Sequence, residues 1–275
     1  MGYKMIAMDM DGTLLTTDKE VSEYSRNVLK KAADAGVKLV VCTGRIFTSA
    51  RVYANIIGTK APIIASNGAY IREKDRDDII YSKSLKKDEL YSIVKTAKSF
   101  GFYPHLYTSD TIFSEKLIYS SQSYMKWNET LPEEARIKIK IEEDLYKVID
   151  ENDGVILKVV IVSDDIDKIA ELKDKIGKEM EVSIVSSWYN NVEVMSKGIS
   201  KGNAVRILSE YYGIPRNEII CIGDNDNDSS MIEYAGMGIA MGNAEDKVKE
   251  IANYITDTND CDGVAKAIEK FILNI

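Results

Sequence analysis

Histidine is almost missing from this chain. His105 is the only one in 275 residues, which nearly excludes a histidine-based zinc site and argues against a Ser-His-Asp triad. Cysteine is scarce too. Cys42, Cys221 and Cys261 are an odd number with no C-x-x-C spacing, so no disulfide framework is expected and a reducing, cytoplasmic setting is. No stretch approaches the roughly 18 apolar residues of a membrane helix. Asp9 and Asp11 interrupt any signal-peptide core, so neither a membrane span nor an export signal is expected. Positive charge is in deficit, with 36 Lys and Arg against 44 Asp and Glu and a net charge of −8. That argues against a nucleic-acid or anionic-membrane surface. An anionic substrate would then need a bound cation and a few placed cationic side chains.

What is present is ordinary in bulk: 45% hydrophobic and 29% charged residues, in the range of soluble globular proteins. The length suits two domains or one large one. The informative part is the start. Met5, Ile6, Ala7 and Met8 form a short apolar run, read as a strand buried on both faces. It ends in two acids one residue apart, Asp9 and Asp11. Ionised carboxylates are costly beside a core unless they are paired or bind a cation. Gly12 and Thr13 then turn the chain without bulk, allowing close approach of backbone to a ligand.

Apolar runs alternate with helical patterns. Ser22 is a candidate N-cap for a helix bearing Val28, Leu29 and Ala32, with Gly36 past its end. A second run, residues 37–42, ends at Thr43, Gly44 and Arg45, and a helical stretch follows to Ile57. A third, 62–65, ends at Ser66, Asn67 and Gly68. The style returns with a helix capped by Ser200, a run at 219–222 ending in Gly223 and Asp224, and short strands at 238–241 and 254–256. Strands alternating with helices indicate βαβ units and a parallel sheet. Residues 85–188 differ: two amphipathic helical patterns, 88–100 and 165–180, accompany β-rich runs such as 155–162. The expected fold is α/β, with a core of 1–84 and 189–275 and an inserted α+β domain of 85–188.

Asp9, Thr43, Asn67 and Asp224 each follow an apolar strand. In open α/β sheets ligands bind in the crevice outside those carboxyl ends, so four segments aim at one place. Asp9 and Asp224 could share a divalent cation, because Mg²⁺ takes one or two carboxylates plus waters and phosphate oxygens. Residues 223–228 superficially match the start of a calcium loop, but Ser229 stands at the turn glycine and Ala235 at the final glutamate, so that reading is rejected. Thr43 and Gly44 offer a hydroxyl and backbone N–H groups at a helix start, a common anion site. Lys201 begins a helix at the wrong end for the macrodipole, which a nearby anion would explain.

Together these residues resemble the haloacid dehalogenase superfamily of phosphohydrolases, in its Cof-type, class IIB branch. The stretch 9–15 resembles its first motif, Thr43 to Arg45 its second, Ser200 to Gly202 its third and 223–228 its fourth; Ser66 to Ala69 also fits this branch. The resemblance spans the chain and implies a Rossmann-like parallel-sheet core with a C2B-type cap at the insertion. It implies Mg²⁺-dependent hydrolysis of small phosphate monoesters, sugar phosphates and similar metabolites, through an aspartyl-phosphate. Asp9 would be the nucleophile and Asp11 the general acid and base. Asp9, the backbone carbonyl of Asp11, and Asp224 would hold Mg²⁺. Thr43, Lys201 and Asn227 would bind phosphoryl oxygens, Gly44 and Asn67 would line the site, and Asp228 would orient Lys201 or the metal waters. Alternatives on the same fold are a phosphomutase and a regulatory module without turnover. The substrate, the specificity residues of the cap and the oligomeric state stay open.

Overall fold

The four residues Met5–Met8 (β1) are wholly buried, as an apolar run without alternation requires. Burying the side chains of Met5, Ile6 and Met8 contributes roughly 1.5–3 kcal/mol each, so β1 is anchored before any polar contact is counted. The computed structural model describes residues 2–275. They divide into two units: Met1–Arg45, Ala50–Tyr81 and Ser200–Ile275 in the first, Ile46–Ser49 and Ser82–Ile199 in the second.

After β1, helix Glu23–Asp34 (α1) starts at Ser22, whose hydroxyl accepts from the Ser25 N–H. It buries Ser25, Val28, Leu29 and Ala32, one face at helical spacing. Strand Lys38–Val41 (β2), helix Phe47–Ile56 (α2) and strand Ile63–Ala65 (β3) follow. A tight turn, Ser66–Gly68, leads to Tyr70–Arg72 (β4) and Ile79–Ser82 (β5).

The insertion comprises helix Lys87–Ser99 (α3), strands His105–Tyr107 (β6) and Thr111–Ser114 (β7), helix Tyr119–Asn128 (α4), strand Lys138–Ile141 (β8), helix Leu145–Glu151 (α5), strand Lys158–Val162 (β9), helix Ile166–Glu179 (α6), and strands Val182–Val185 (β10) and Asn191–Ser196 (β11). Its six strands lie in the order β10-β11-β9-β6-β7-β8. All neighbours are antiparallel except β7 and β8. Leu106, Phe113, Val159, Ile161, Val192 and Val194 form a core with Leu90 and Ile93 of α3 and Leu172 and Ile176 of α6. Tyr107, Ile112 and Val160 pack with Ile46 and Ile137, and Tyr124 and Trp127 lie against that cluster.

The chain returns through helix Lys201–Tyr212 (α7), strand Ile219–Gly223 (β12), helix Ser229–Tyr234 (α8), strand Met237–Ala240 (β13), helix Asp246–Ile251 (α9), strand Tyr254–Ile255 (β14) and helix Gly263–Ile268 (α10). The first unit's main sheet is parallel, ordered β14-β13-β12-β1-β2. Met8 lies level with Ile222 on one side and Val41 on the other. Strands leave β1 in both directions, which makes its carboxyl end a topological switch point. Ala204, Val205 and Leu208 of α7 pack on Met5, Ala7, Val40 and Cys221.

Two features depart from expectation. The texture of the sequence ends the insertion at 188, whereas the second unit runs to Ile199. Residues 191–196 form β11, which pairs antiparallel with both β10 and β9, so strand pairing holds them there. The run ending at Ala65 lies outside the five-stranded sheet, in a separate sheet with β4 and β5. A parallel bridge, Cys42 to Ile64, joins it to the end of β2.

Candidate active site

Register brings the acids together. Asp9 leaves β1 next to the end of β12, its N–H donating to the Ile222 carbonyl at 3.0 Å. Asp224 leaves β12 one residue further on. Lys201 is the first residue of α7, whose start is fixed by the Ser200 hydroxyl accepting from the Asn203 N–H. Gly202 lets that helix approach, because a Cβ there would overlap the Ser230 carbonyl oxygen. Lys201 is fully buried, and its Nζ donates to Asp9 Oδ1 at 2.6 Å and to Asp228 Oδ1 at 2.5 Å. Two carboxylates thus offset the unfavourable helix end.

Asp228 also shapes the next loop. Its Oδ2 accepts from the N–H groups of Asp224, at 2.9 Å, and Asn225, at 3.0 Å. Carboxylate oxygens of Asp9, Asp224 and Asp228, all buried, lie within 4.8 Å of one another. Three carboxylates against one ammonium leave a formal charge of −2. Burial pushes the Asp9 carboxyl up to about 7, with Asp228 adding to the shift and Lys201 opposing it. Burial also pushes Asp224 up to about 8, reinforced by Asp228 and Asp9. The excess negative charge, held on hard oxygen donors, fits an oxygen-ligated divalent cation.

A second polar group lies beside the first, since the Cys42 N–H donates to the Met8 carbonyl at 2.9 Å. Thr43 is buried, and its hydroxyl accepts from the Arg45 N–H at 3.2 Å. Asn67 sits in the left-handed region at φ 55°. Its N–H donates to the Thr43 carbonyl at 3.0 Å, and its Oδ1 accepts from Asn227 Nδ2 at 3.1 Å. A Cβ on Gly44 would lie 2.9 Å from that same Oδ1, which explains a glycine there. Asn227 Oδ1 is buried without a hydrogen-bond partner, so the site presents an unmatched acceptor toward a donor such as metal-bound water.

Asp11 behaves differently. Arg45 grips its carboxylate with two hydrogen bonds, Nε to Oδ2 at 2.6 Å and Nη2 to Oδ1 at 2.7 Å, and Lys19 Nζ adds a third at 2.9 Å. Burial alone would raise this carboxyl, but Arg45 and then Lys19 outweigh it and hold it well below the usual carboxylate range. Arg45 in turn lies over the Tyr53 ring, 4.8 Å from its centroid. The roles of Arg45, Lys19, Thr13 and Asn225 are not read from the sequence. Thr13 and Arg45 stand inside quoted motifs, whereas Lys19 carries no local signal. Cys42 and Cys221 are buried thiols, which burial pushes up and leaves unreactive.

A family model described as haloacid dehalogenase-like hydrolase matches residues 6–268. The chain belongs to this family. It is 36% identical over 284 residues to YxeH of Bacillus subtilis (strain 168), covering 98% of this chain and 99% of that one. It is 32% identical over 285 residues to the 5-amino-6-(5-phospho-D-ribitylamino)uracil phosphatase YwtE of the same organism, covering 98% of each. A crystal structure of a haloacid dehalogenase-like hydrolase from Bacteroides thetaiotaomicron matches with a TM-score of 0.82 and 30% identity, over 98% of this chain and 99% of that one. The chain is a Cof-type phosphatase of small phosphate substrates. Haloacid dehalogenase-like phosphatases use a metal ion, and the acidic cluster fits one. Among the described residues, no helix is long and apolar enough to cross a membrane.

Proposed function

We propose that this haloacid dehalogenase-like phosphatase is a Mg²⁺-dependent phosphomonoesterase that hydrolyses small phosphorylated metabolites through a phosphoryl group carried on Asp9. The observation that carries the reading is the buried Lys201 ammonium bridging Asp9 and Asp228 beside Asp224. Asp9, Asp224 and the Asp11 backbone carbonyl would hold Mg²⁺, which when bound supplies positive charge against the phosphoryl oxygens.

Asp9 attacks phosphorus, and the new O–P bond forms as the ester P–O bond breaks. Lys201 and the Thr43 hydroxyl stabilise the phosphoryl oxygens, with Asn227 and the Gly44 and Asn67 backbone shaping their surroundings. Asp11 gives a proton to the departing alkoxide and later takes one from the water that hydrolyses the aspartyl-phosphate. In the present conformation Asp11 is a carboxylate in the grip of Arg45 and Lys19. It is ready as a base, and proton donation requires it to leave that pair. Asp228 positions Lys201. The inserted unit acts as the specificity cap, and the three free cysteines suit a reducing cytoplasm.

The test is phosphate release from a panel of small esters, including sugar phosphates and the ribitylaminouracil phosphate of the YwtE name, with Mg²⁺ or EDTA. Release by wild type with Mg²⁺, abolished by EDTA and by Asp9→Asn, is expected. Turnover retained in pure Asp9→Asn sinks the aspartyl-phosphate route, and EDTA-resistant release sinks the metal dependence.

A further inference from the structure

A threonine just past a strand ordinarily spends its hydroxyl on nearby backbone. Thr13 does not. It is buried, and its Oγ1 donates to Asp224 Oδ1 at 2.6 Å across 211 positions of sequence. The other oxygen, Oδ2, accepts from Asn225 Nδ2 at 2.8 Å. Gly12, at φ 79°, packs so closely that a Cβ there would overlap the same carboxylate. Asp224 is therefore tied at both oxygens and hemmed in by backbone. Of the two ties, the Asn225 one is made within the Asp224 loop itself. The Thr13 one joins that loop to the segment carrying Asp9 and Asp11. A hydroxyl bonded to a carboxylate at this length is a charge-assisted contact, stronger than a neutral one.

We propose that Thr13 is a positioning residue for the divalent cation, its hydroxyl fixing the Asp224 carboxylate in register with Asp9 before the ion arrives. This rests on the metal-dependent reading above. Partners that orient metal-ligating side chains typically change metal affinity by about 10- to 100-fold when removed.

The test is direct Mn²⁺ binding to the full chain, read by electron paramagnetic resonance without substrate, for wild type, Thr13→Val, Thr13→Ala and Thr13→Ser. Thr13→Val keeps the shape and removes the donor. Thr13→Ala removes it without setting a second methyl beside the carboxylate, so one of the two reports even if the other folds poorly. Thr13→Ser keeps the hydroxyl. The expected result is Mn²⁺ binding weaker by about tenfold or more in the Val and Ala variants, with Ser close to wild type and Mg²⁺ competing in each. Equal binding by wild type, Val and Ala variants overturns the proposal and leaves the metal-dependent reading standing. A Ser variant as weak as Val overturns it as well, since methyl packing would then be the cause. Wild type that binds no Mn²⁺ overturns the metal-dependent reading and this inference with it.

Discussion

Replacing Lys201 by methionine keeps most of the side chain's volume and removes its charge. The ammonium is fully buried and bonded to Asp9 and Asp228. Removing one partner of a buried ion pair costs about 3–5 kcal/mol, because the other charge is left uncompensated. For a domain of 150–250 residues this is a fall of roughly 6–20 °C in melting temperature, at about 2–4 °C per kcal/mol. The loss should depend on pH in a stated direction. Burial and Asp228 already push the Asp9 carboxyl up to about 7, and Lys201 is what opposes them, so the variant raises it further. An acid whose folded value lies above its unfolded value of about 4 adds stability below that value. It loses it as pH rises through the folded value. The Lys201→Met deficit is therefore smaller near pH 5, where Asp9 enters the fold protonated and only Asp228 loses its partner, than near pH 8, where both do. Scanning calorimetry of both proteins at the two pH values measures it. An equal deficit at pH 5 and pH 8 would refute the electrostatic account and reduce Lys201 to a packing residue.

Other outcomes follow from single contacts. Gly12→Ala places a Cβ at φ 79° against the Asp224 carboxylate; it should cost about 1–2 kcal/mol from backbone strain alone and raise the Mg²⁺ concentration for half-maximal activity, both checked by melting and metal titration. Gly202→Ala, which would stabilise an isolated helix by up to about 1 kcal/mol, should instead lower the melting temperature, since its Cβ overlaps the Ser230 carbonyl oxygen. His105 is buried, and burial pushes its imidazole down to about 4. Its neutral form is thus the folded one, so stability is full above about pH 6.5 and falls by on the order of 3 kcal/mol as pH drops toward 4. Urea unfolding from pH 7 to 4.5, repeated on His105→Gln, checks this: the variant should lose much of the slope.

The strand exits were readable because the apolar runs before Asp9, Thr43 and Asp224 are short, almost free of charge and followed at once by polar residues. Asp9, Thr43 and Asp224 could be placed without coordinates for that reason. Lys201 was readable because a cation at a helix start has no local justification. Asp11 was legible as an acid but not in its environment, because Arg45 approaches from the loop after β2 and Lys19 from a loop with no periodicity. The joint at Ile199 was hidden by composition. Asn191, Glu193 and Ser196 make β11 look solvent-facing, yet Glu193 is buried and bonds Lys158 at 2.5 Å. A polar residue at every other position of a strand reads as a wet face, and only the third dimension supplies the charge opposite Glu193.

The placing of β1 between β2 and β12 bears on how the protein is made. Met5 pairs with Ile219, so more than two hundred residues separate the central strand from one of its two neighbours. At roughly 5–20 residues per second, ribosomal synthesis leaves about 10–40 s between them. During that interval a wholly apolar strand at the centre of the core has one bare edge, and Asp9 has no Lys201 beside it. The inserted unit closes its own sheet within the same window, because all its strand partners are already made. Nascent chains stalled once residue 199 has emerged, but before β12 has, should therefore contain a folded insertion and an unfinished core.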